Sequence, residues 1–466
     1  MRKITSLLML LCVFVGTAWG QVAKLEDLSN DKVYVLKSGR SSNTQSHYLL
    51  YHTDAPSNLS STYGSGHHLD YSNDTNNFHF AIYKHEGKYY FYNIAAGKFI
   101  GNNDNNNGAI PLVDVPTNSI EIRSSSNATY NFVLSTNGTG ALNAAATAGC
   151  HGVVNWTGGY SDLGDGGNIY QIIEVGDLES ETKTIIEEKV NIGVVLSAAQ
   201  AAVDGASNTL VGAYTKASVA LLTEKLNAYK EGDTQDNFNA LKQAYDDFLE
   251  NGERVALSEG EVFTVKCVED SRGYMVYSTV EGKGSETQVY LAGTSYTNYH
   301  AAIDAEGVYK EWAYVEVDGK KYIFNTENKK FITSDGVVQF SDMGHAFNFV
   351  DIGNALWEIQ FEANNRYLSY SPGWGADCVR TEGGIDNGCK FYIEKVDQSL
   401  GADVLTSMED KINAGKLATW KESNLAVLGY VGGYPTSMQS AIEEVATYSA
   451  ALAFDEENVA ERKALT

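Results

Sequence analysis

Two stretches of this chain set aromatic side chains beside polar ones at short spacing within glycine-containing sequence. The first holds Asn155, Trp156, Tyr160 and Asp162; the second holds Tyr370, Trp374, Asp377 and Arg380. Such a set suits a sugar, because an aromatic face covers the apolar C–H surface of the ring while Asp, Asn or Arg orients its hydroxyls. The competing reading makes Trp156 and Trp374 core residues. A Trp in a glycine-rich loop is less often core than one on a strand, such as Trp312 or Trp357. The eight residues are therefore the expected carbohydrate contacts.

The spacing represents other chemistry only weakly. There is no His-Glu-x-x-His metal motif, no Gly-x-Ser-x-Gly elbow and no phosphate loop. Gly64-Ser65-Gly66 and Gly164-Asp165-Gly166-Gly167 open no helix and read as turns. Asp165 and Asp386 recur in such turns, where a turn-forming side chain is needed. Cys150 and His151, adjacent on a strand, would face opposite ways. His47, His52, His67 and His68 read as loop histidines. Asn103, Asn105, Asn107, Gly108, Ile110 and Asp114 follow calcium-loop spacing, but Asn stands at the first ligand, Pro111 at the ninth place, and strands flank the run. An Asn-rich turn is expected there. A carboxylate pair for glycoside hydrolysis is not legible in spacing, since such pairs meet through the fold. We expect no catalytic residue, no metal and no cofactor.

The elements that must position the candidate residues are written twice. Phe80 to Asn93 returns as Trp312 to Asn325, offset by 232, and the offset persists from Lys98-Phe99-Ile100 to Lys330-Phe331-Ile332. Val33 to Lys37 answers to Val262 to Lys266, Tyr48 to Tyr51 answers to Tyr274 to Tyr277, and Asp165 to Gly167 answers to Asp386 to Gly388. Residues 24–176 and 255–397 are rich in short aromatic and β-branched runs separated by Gly, Asn, Asp and Ser. Residues 179–252 and 398–466 are rich in Ala, Leu, Lys and Glu at helical spacing, as in Phe238, Leu241, Tyr245 and Leu249. The helical segments share Val211-Gly212-Ala213-Tyr214-Thr215 and Val431-Gly432-Gly433-Tyr434-Pro435. The order is β, α, β, α. The second helical segment stops short of a full last helix, so either that module is trimmed or the chain is part of a longer protein.

Each β segment divides further by three. In the first, units start at Lys32, Lys88 and Thr129 and reach the short strands Tyr48-Leu49, Phe99-Ile100 and Ala141-Leu142; the second has Tyr274-Met275, Phe331-Ile332 and Tyr367-Leu368. Three such units suit a β-trefoil, a closed architecture without sheet edges. A β-sandwich is the rival. The expected fold class is multidomain β plus α, with two β-trefoil-like domains alternating with small helical bundles. Repetition without a shared catalytic constellation points to repeated binding, with two weak sites acting together.

The N-terminus has the form of a secretory signal: Arg2 and Lys3, an apolar run from Leu7 to Val15, and Ala18-Trp19-Gly20 at the cleavage position. Residues 1–20 are thus expected to be removed, leaving Gln21 first. Cys12 lies behind Leu10-Leu11 rather than small residues, which disfavours lipidation. An exported location follows: secreted, periplasmic or cell-surface. The formal charge is −25, or −27 without Arg2 and Lys3. Such acidity disfavours nucleic acid and direct membrane insertion as partners; a glycan or glycoprotein is expected instead. Export also permits disulfides. Cys378 and Cys389 flank a Gly383-Gly384 turn and are the expected pair, while Cys150 and Cys267 read as buried thiols.

With this plan, the β segments resemble the ricin-type β-trefoil superfamily of sugar-binding modules, and look most like copies attached to exported bacterial glycan-active proteins. The family's Gln-x-Trp is replaced by Asn76-Asn77-Phe78, Tyr170-Gln171-Ile172 and Leu356-Trp357-Glu358. The helical segments look similar to FIVAR-type three-helix spacers. The resemblance implies a non-catalytic carbohydrate-binding protein, or the binding arm of a larger glycan-degrading enzyme. The alternative is a structural or adhesive surface protein whose trefoils bind other proteins.

Overall fold

The computed structural model describes residues 20–427 apart from 43–44, 63–75, 128, 146–151, 160, 162–163, 270–271, 294–300, 334–335, 371–379 and 383–385. Two compact units are present: Met1–Asp204 with Leu221–Asp247, and Gly205–Ala220 with Phe248–Thr466.

In the first unit the three sequence repeats each supply four barrel or hairpin strands, and the middle one adds the two-residue strand Gly108–Ala109 beside the third hairpin. The barrel and hairpin strands are β1 (Lys32–Ser42), β2 (Gln45–Tyr51), β3 (Leu59–Ser61) and β4 (Phe80–His85); β5 (Lys88–Asn93), β6 (Lys98–Ile100), β7 (Leu112–Val113) and β8 (Glu121–Ser124); β9 (Phe132–Ser135), β10 (Gly140–Ala144), β11 (Val153–Thr157) and β12 (Ile169–Asp177). The outer members of the repeats close a barrel: β12 pairs β1, β1 pairs β4, β4 pairs β5, Tyr89 bridges Ile120 beside β8, β8 pairs β9, and β9 pairs β12. The inner members form the hairpins β2–β3, β6–β7 and β10–β11. Each hairpin sends two aliphatic side chains into the core, Leu49 with Leu59, Ile100 with Leu112 and Leu142 with Val153. A closed barrel capped by three hairpins is a β-trefoil, and closure leaves its barrel strands without open edges.

The second unit repeats the plan. Its barrel and hairpin strands are β13 (Glu261–Cys267), β14 (Tyr274–Ser278), β15 (Tyr290–Gly293) and β16 (Trp312–Val317); β17 (Lys320–Asn325), β18 (Phe331–Ile332), β19 (Phe340–Ser341) and β20 (Phe347–Asp351); β21 (Trp357–Phe361), β22 (Tyr367–Ser369), β23 (Arg380–Glu382) and β24 (Phe391–Ser399), with the two-residue strands Ala301–Ala302 and Val308–Tyr309 in addition. The barrel closes through β13–β16, β16–β17, β17–β20, β20–β21, β21–β24 and β24–β13. The hairpins are β14–β15, β18–β19 and β22–β23. The repeated β4–β5 and β16–β17 hairpins turn at Glu86-Gly87 and Asp318-Gly319, where both residues of each pair have positive φ. That is the backbone a two-residue hairpin needs, and Gly in second place supplies it without a Cβ clash.

Trp312 is fully buried, as its strand position led us to expect, and its indole N–H donates to the Met275 carbonyl at 2.9 Å. Cys267 is a buried core thiol, pushed up to about 11 by desolvation.

Four helices complete the described chain: α1 (Ser180–Asp204), α2 (Ala220–Glu231), α3 (Gln235–Asn251) and α4 (Ala402–Val427). Helix α1 seats Ile186 and Val190 against Ala81, Tyr90, Tyr92 and Phe99 of the first trefoil. Helix α4 seats Met408 and Ile412 against Ala313, Tyr322, Phe324 and Phe331 of the second. Each of these four pairs stands 232 positions apart in the two copies, so the helix seat is duplicated with the trefoil. Gly193 permits the close approach of α1, since a Cβ there would meet the Pro116 carbonyl oxygen. No described helix is long and apolar enough to cross a membrane.

Candidate ligand-binding site

The site begins on β11, where Val153, Val154 and Asn155 are buried and Trp156 and Thr157 emerge. Trp156 is 39% exposed, the strand having carried it past the rim of the third hairpin. The turn that follows clears one flank of the indole: a Cβ at Gly159 would lie 3.1 Å from Trp156 Cδ1. The exposed ring is no core plug.

Two amide-rich loops converge on this strand end. In the run Asn102 to Asn107, the Asn106 side-chain oxygen accepts from the Thr157 backbone N–H at 3.0 Å, and the Asn107 N–H donates to the Asn155 carbonyl at 2.7 Å. From the neighbouring turn, the Gly158 N–H donates to the Thr139 carbonyl at 3.2 Å. The two loops are tied to each other through Asp104, whose Oδ1 accepts from Asn102 Nδ2 at 3.0 Å and from Asn137 Nδ2 at 3.2 Å. These bonds, Asn102 first, hold the Asp104 carboxyl below its ordinary range. Asn137 is itself held by the Gly140 N–H, which donates to its Oδ1 at 2.8 Å. Among the described residues both hydrogen bonds to Asp104 fall on Oδ1, which leaves Oδ2 to accept from a ligand.

The expected contact residues are only partly brought together. Trp156 sits at the surface as required. Asn155 does not: it is buried, and its amide lies under Gly140, where a Cβ would collide with it. Tyr370 is also corrected to core, with its hydroxyl donating to the Val265 carbonyl at 3.1 Å and its ring 4.8 Å from that of Phe391. Tyr160, Asp162, Trp374 and Asp377 lie outside the described residues, as does the side chain of Arg380, whose backbone opens β23. Cys378 lies outside them too, so the expected link to the buried Cys389 falls beyond the structure described. Asn102, Asp104, Asn106 and Asn137, which are not among the expected contacts, stand on the loops that meet at this strand end. In the sequence the Asn run signals a turn and nothing more.

That turn reading holds as far as it goes. Asn103 Oδ1 accepts from the Asn105 N–H and its Nδ2 donates to the Ala109 carbonyl, while Asp114 lies 3.4 Å from Lys98 Nζ. No group of three metal-type side chains occurs among the described residues. Asp165 and Asp386 are turn formers: their Oδ1 atoms accept from the N–H groups of Gly167 at 2.8 Å and Gly388 at 2.7 Å. Against expectation His47 is buried rather than solvent-facing, beside the Thr62 hydroxyl.

No protein-family model and no curated protein matches this chain. Among solved structures, Cry35Ab1 is similar over 31% of this chain and 38% of its own, at 15% identity and a TM-score of 0.25. The designed threefold-symmetric protein ThreeFoil is similar over 29% of this chain and 99% of its own, at 16% identity and 0.22. A salivary protein of the Cysteine and Tryptophan-Rich family, from Culex, is similar over 29% and 94%, at 14% identity and 0.22. The fold assignment rests on the closed strand pairing described above.

Proposed function

We propose that this chain is an exported, non-catalytic carbohydrate-binding protein, or the binding arm of a larger glycan-degrading enzyme, in the manner of ricin-type trefoils joined by FIVAR-like spacers. The observation that carries the reading is the Trp156 indole, exposed beside two loops lined with side-chain amides and one carboxylate. The indole offers an apolar platform for a sugar ring, and the amides and Asp104 Oδ2 offer donors and acceptors for its hydroxyls. The loops are cross-linked by their own hydrogen bonds, so little ordering cost remains when a ligand arrives.

Glycan-array and polysaccharide pull-down assays on the chain from Gln21 to Thr466 test this. Retention on a polysaccharide without hydrolysis supports the proposal. Glycosidase activity lost with a single carboxylate change overturns it. A flat array with tight binding to a cell-surface protein replaces it with the adhesive reading.

A further inference from the structure

Between helix α1 and the first trefoil lies a cavity of about 520 Å³, a volume within the range of small-molecule sites. Two contacts set its roof. Gly193 lets α1 approach the Pro116 carbonyl, and one turn further on the Ser197 hydroxyl donates to the Thr117 carbonyl. The floor is built on the trefoil. The Ile120 N–H donates to the Tyr89 carbonyl at 2.7 Å, an antiparallel bridge that sets Lys88 opposite Glu121. Lys88 shares its strand face with Tyr90, whose ring packs in the cluster under α1. Lys88, Tyr90 and Glu121 all line the cavity.

Two residues of the same wall carry buried polar atoms with no hydrogen-bond partner among the described residues: Asn118 Nδ2 and Thr136 Oγ1. Thr136 is 5% exposed. Buried polar groups are almost always paired, because an unpaired one gives up its bonds to water without replacement. Two of them on one cavity mark a place for the polar atoms of a ligand. Charge narrows the choice. The Glu121 carboxylate sits by the turn after Thr136, since a Cβ at Gly138 would lie 3.0 Å from its Oε1. Lys88 brings the opposite charge from across the bridge. Among the described residues neither side chain is in an ion pair. A simple anion would meet Glu121, and a simple cation would meet Lys88. A zwitterion satisfies both.

We propose that this cavity binds a free α-amino acid or dipeptide. Its carboxylate is held by Lys88 Nζ and Asn118 Nδ2, and its ammonium by the Glu121 carboxylate and Thr136 Oγ1. Hydrogen bonds to ionised groups are the stronger kind, so each orphaned atom gains a charged partner. The ligand side chain lies along Tyr90, Pro116 and Val194, the apolar part of the lining. The cavity meets the Trp156 rim only at Asn137, so the proposal stands independently of the sugar reading.

The test is calorimetric titration of the chain from Gln21 to Thr466 with each of the twenty free amino acids and with dialanine. Saturable one-to-one binding of at least one of them is expected. N-acetylation of that ligand removes its ammonium and amidation removes its carboxylate; each should weaken binding at least tenfold, as should Glu121→Gln and Lys88→Gln. Thr136→Val keeps the side-chain volume and should also weaken binding at least tenfold. It should melt no lower than the parent, because the hydroxyl it removes has no partner among the described residues. A T136V chain that fails to fold hands the decision to E121Q and K88Q, whose side chains are exposed. Absence of saturable binding by every ligand overturns the proposal and leaves the two atoms to water. Equal binding of the acetylated or amidated ligand overturns it too, as does binding unchanged in E121Q and K88Q.

Discussion

The two trefoils share their barrels and their helix seats but differ in the length of their second hairpin, and that division shows where function has room to differ. Ala81, Tyr90, Tyr92 and Phe99 under α1 recur as Ala313, Tyr322, Phe324 and Phe331 under α4. Pairing of the second hairpin differs: Ile100 to Leu112 spans 12 positions in the first copy, Ile332 to Phe340 only eight in the second. The extra length is the Asn-rich loop that flanks Trp156. Among the described residues the amide rim lies on the first trefoil, so the two modules differ at this hairpin while sharing a fold. A closed barrel tolerates this because its hairpin loops lie outside the packed core.

The comparison breaks hardest at the barrel core. Trp312→Ala removes a fully buried indole and strands the Met275 carbonyl; we expect a loss of about 3–5 kcal/mol. Calorimetry should show the second trefoil melting earlier while the first keeps its transition. A matching fall in both transitions would mean that the two units do not unfold separately.

Next come the helix seats. Ile186→Ala and Met408→Ala each remove a fully buried aliphatic side chain from an equivalent place, and each should cost about 2–4 kcal/mol in urea denaturation. A cost at one seat alone would show that the duplication is not energetic.

The sequence made much of this legible. The 232 offset marked the shared barrel strands, and units starting at Lys32, Lys88 and Thr129 foretold the three hairpins. Strand position identified Trp312 as core. What stayed hidden depends on non-local packing. Asn155 is polar and precedes an exposed Trp, yet the β10–β11 pairing buries it beneath Gly140. Tyr370 reads as a surface aromatic, yet its ring turns inward to reach the Val265 carbonyl. The Asn102 to Asn107 run spoke of a turn, and nothing in its spacing says that it lands beside β11.

The smallest effect concerns pH. Asp104 is held below the ordinary carboxylate range by Asn102 and Asn137, so its contribution to loop order is present above the unfolded carboxylate range and lost only as pH falls through the lowered folded value. NMR of the Asn137 side-chain amide should stay constant from neutral pH through the usual carboxylate range and shift only below it. A shift centred on the ordinary Asp range would show that the loops are not tied through this carboxylate.

The central claim, that the first trefoil presents Trp156 to a sugar, is tested most directly by Trp156→Ala. We expect polysaccharide binding by the chain from Gln21 to Thr466 to weaken by about 1–3 kcal/mol, with stability changed by less than about 0.5 kcal/mol because the ring is a surface group. Unchanged binding, or a collapsed melt, would contradict it.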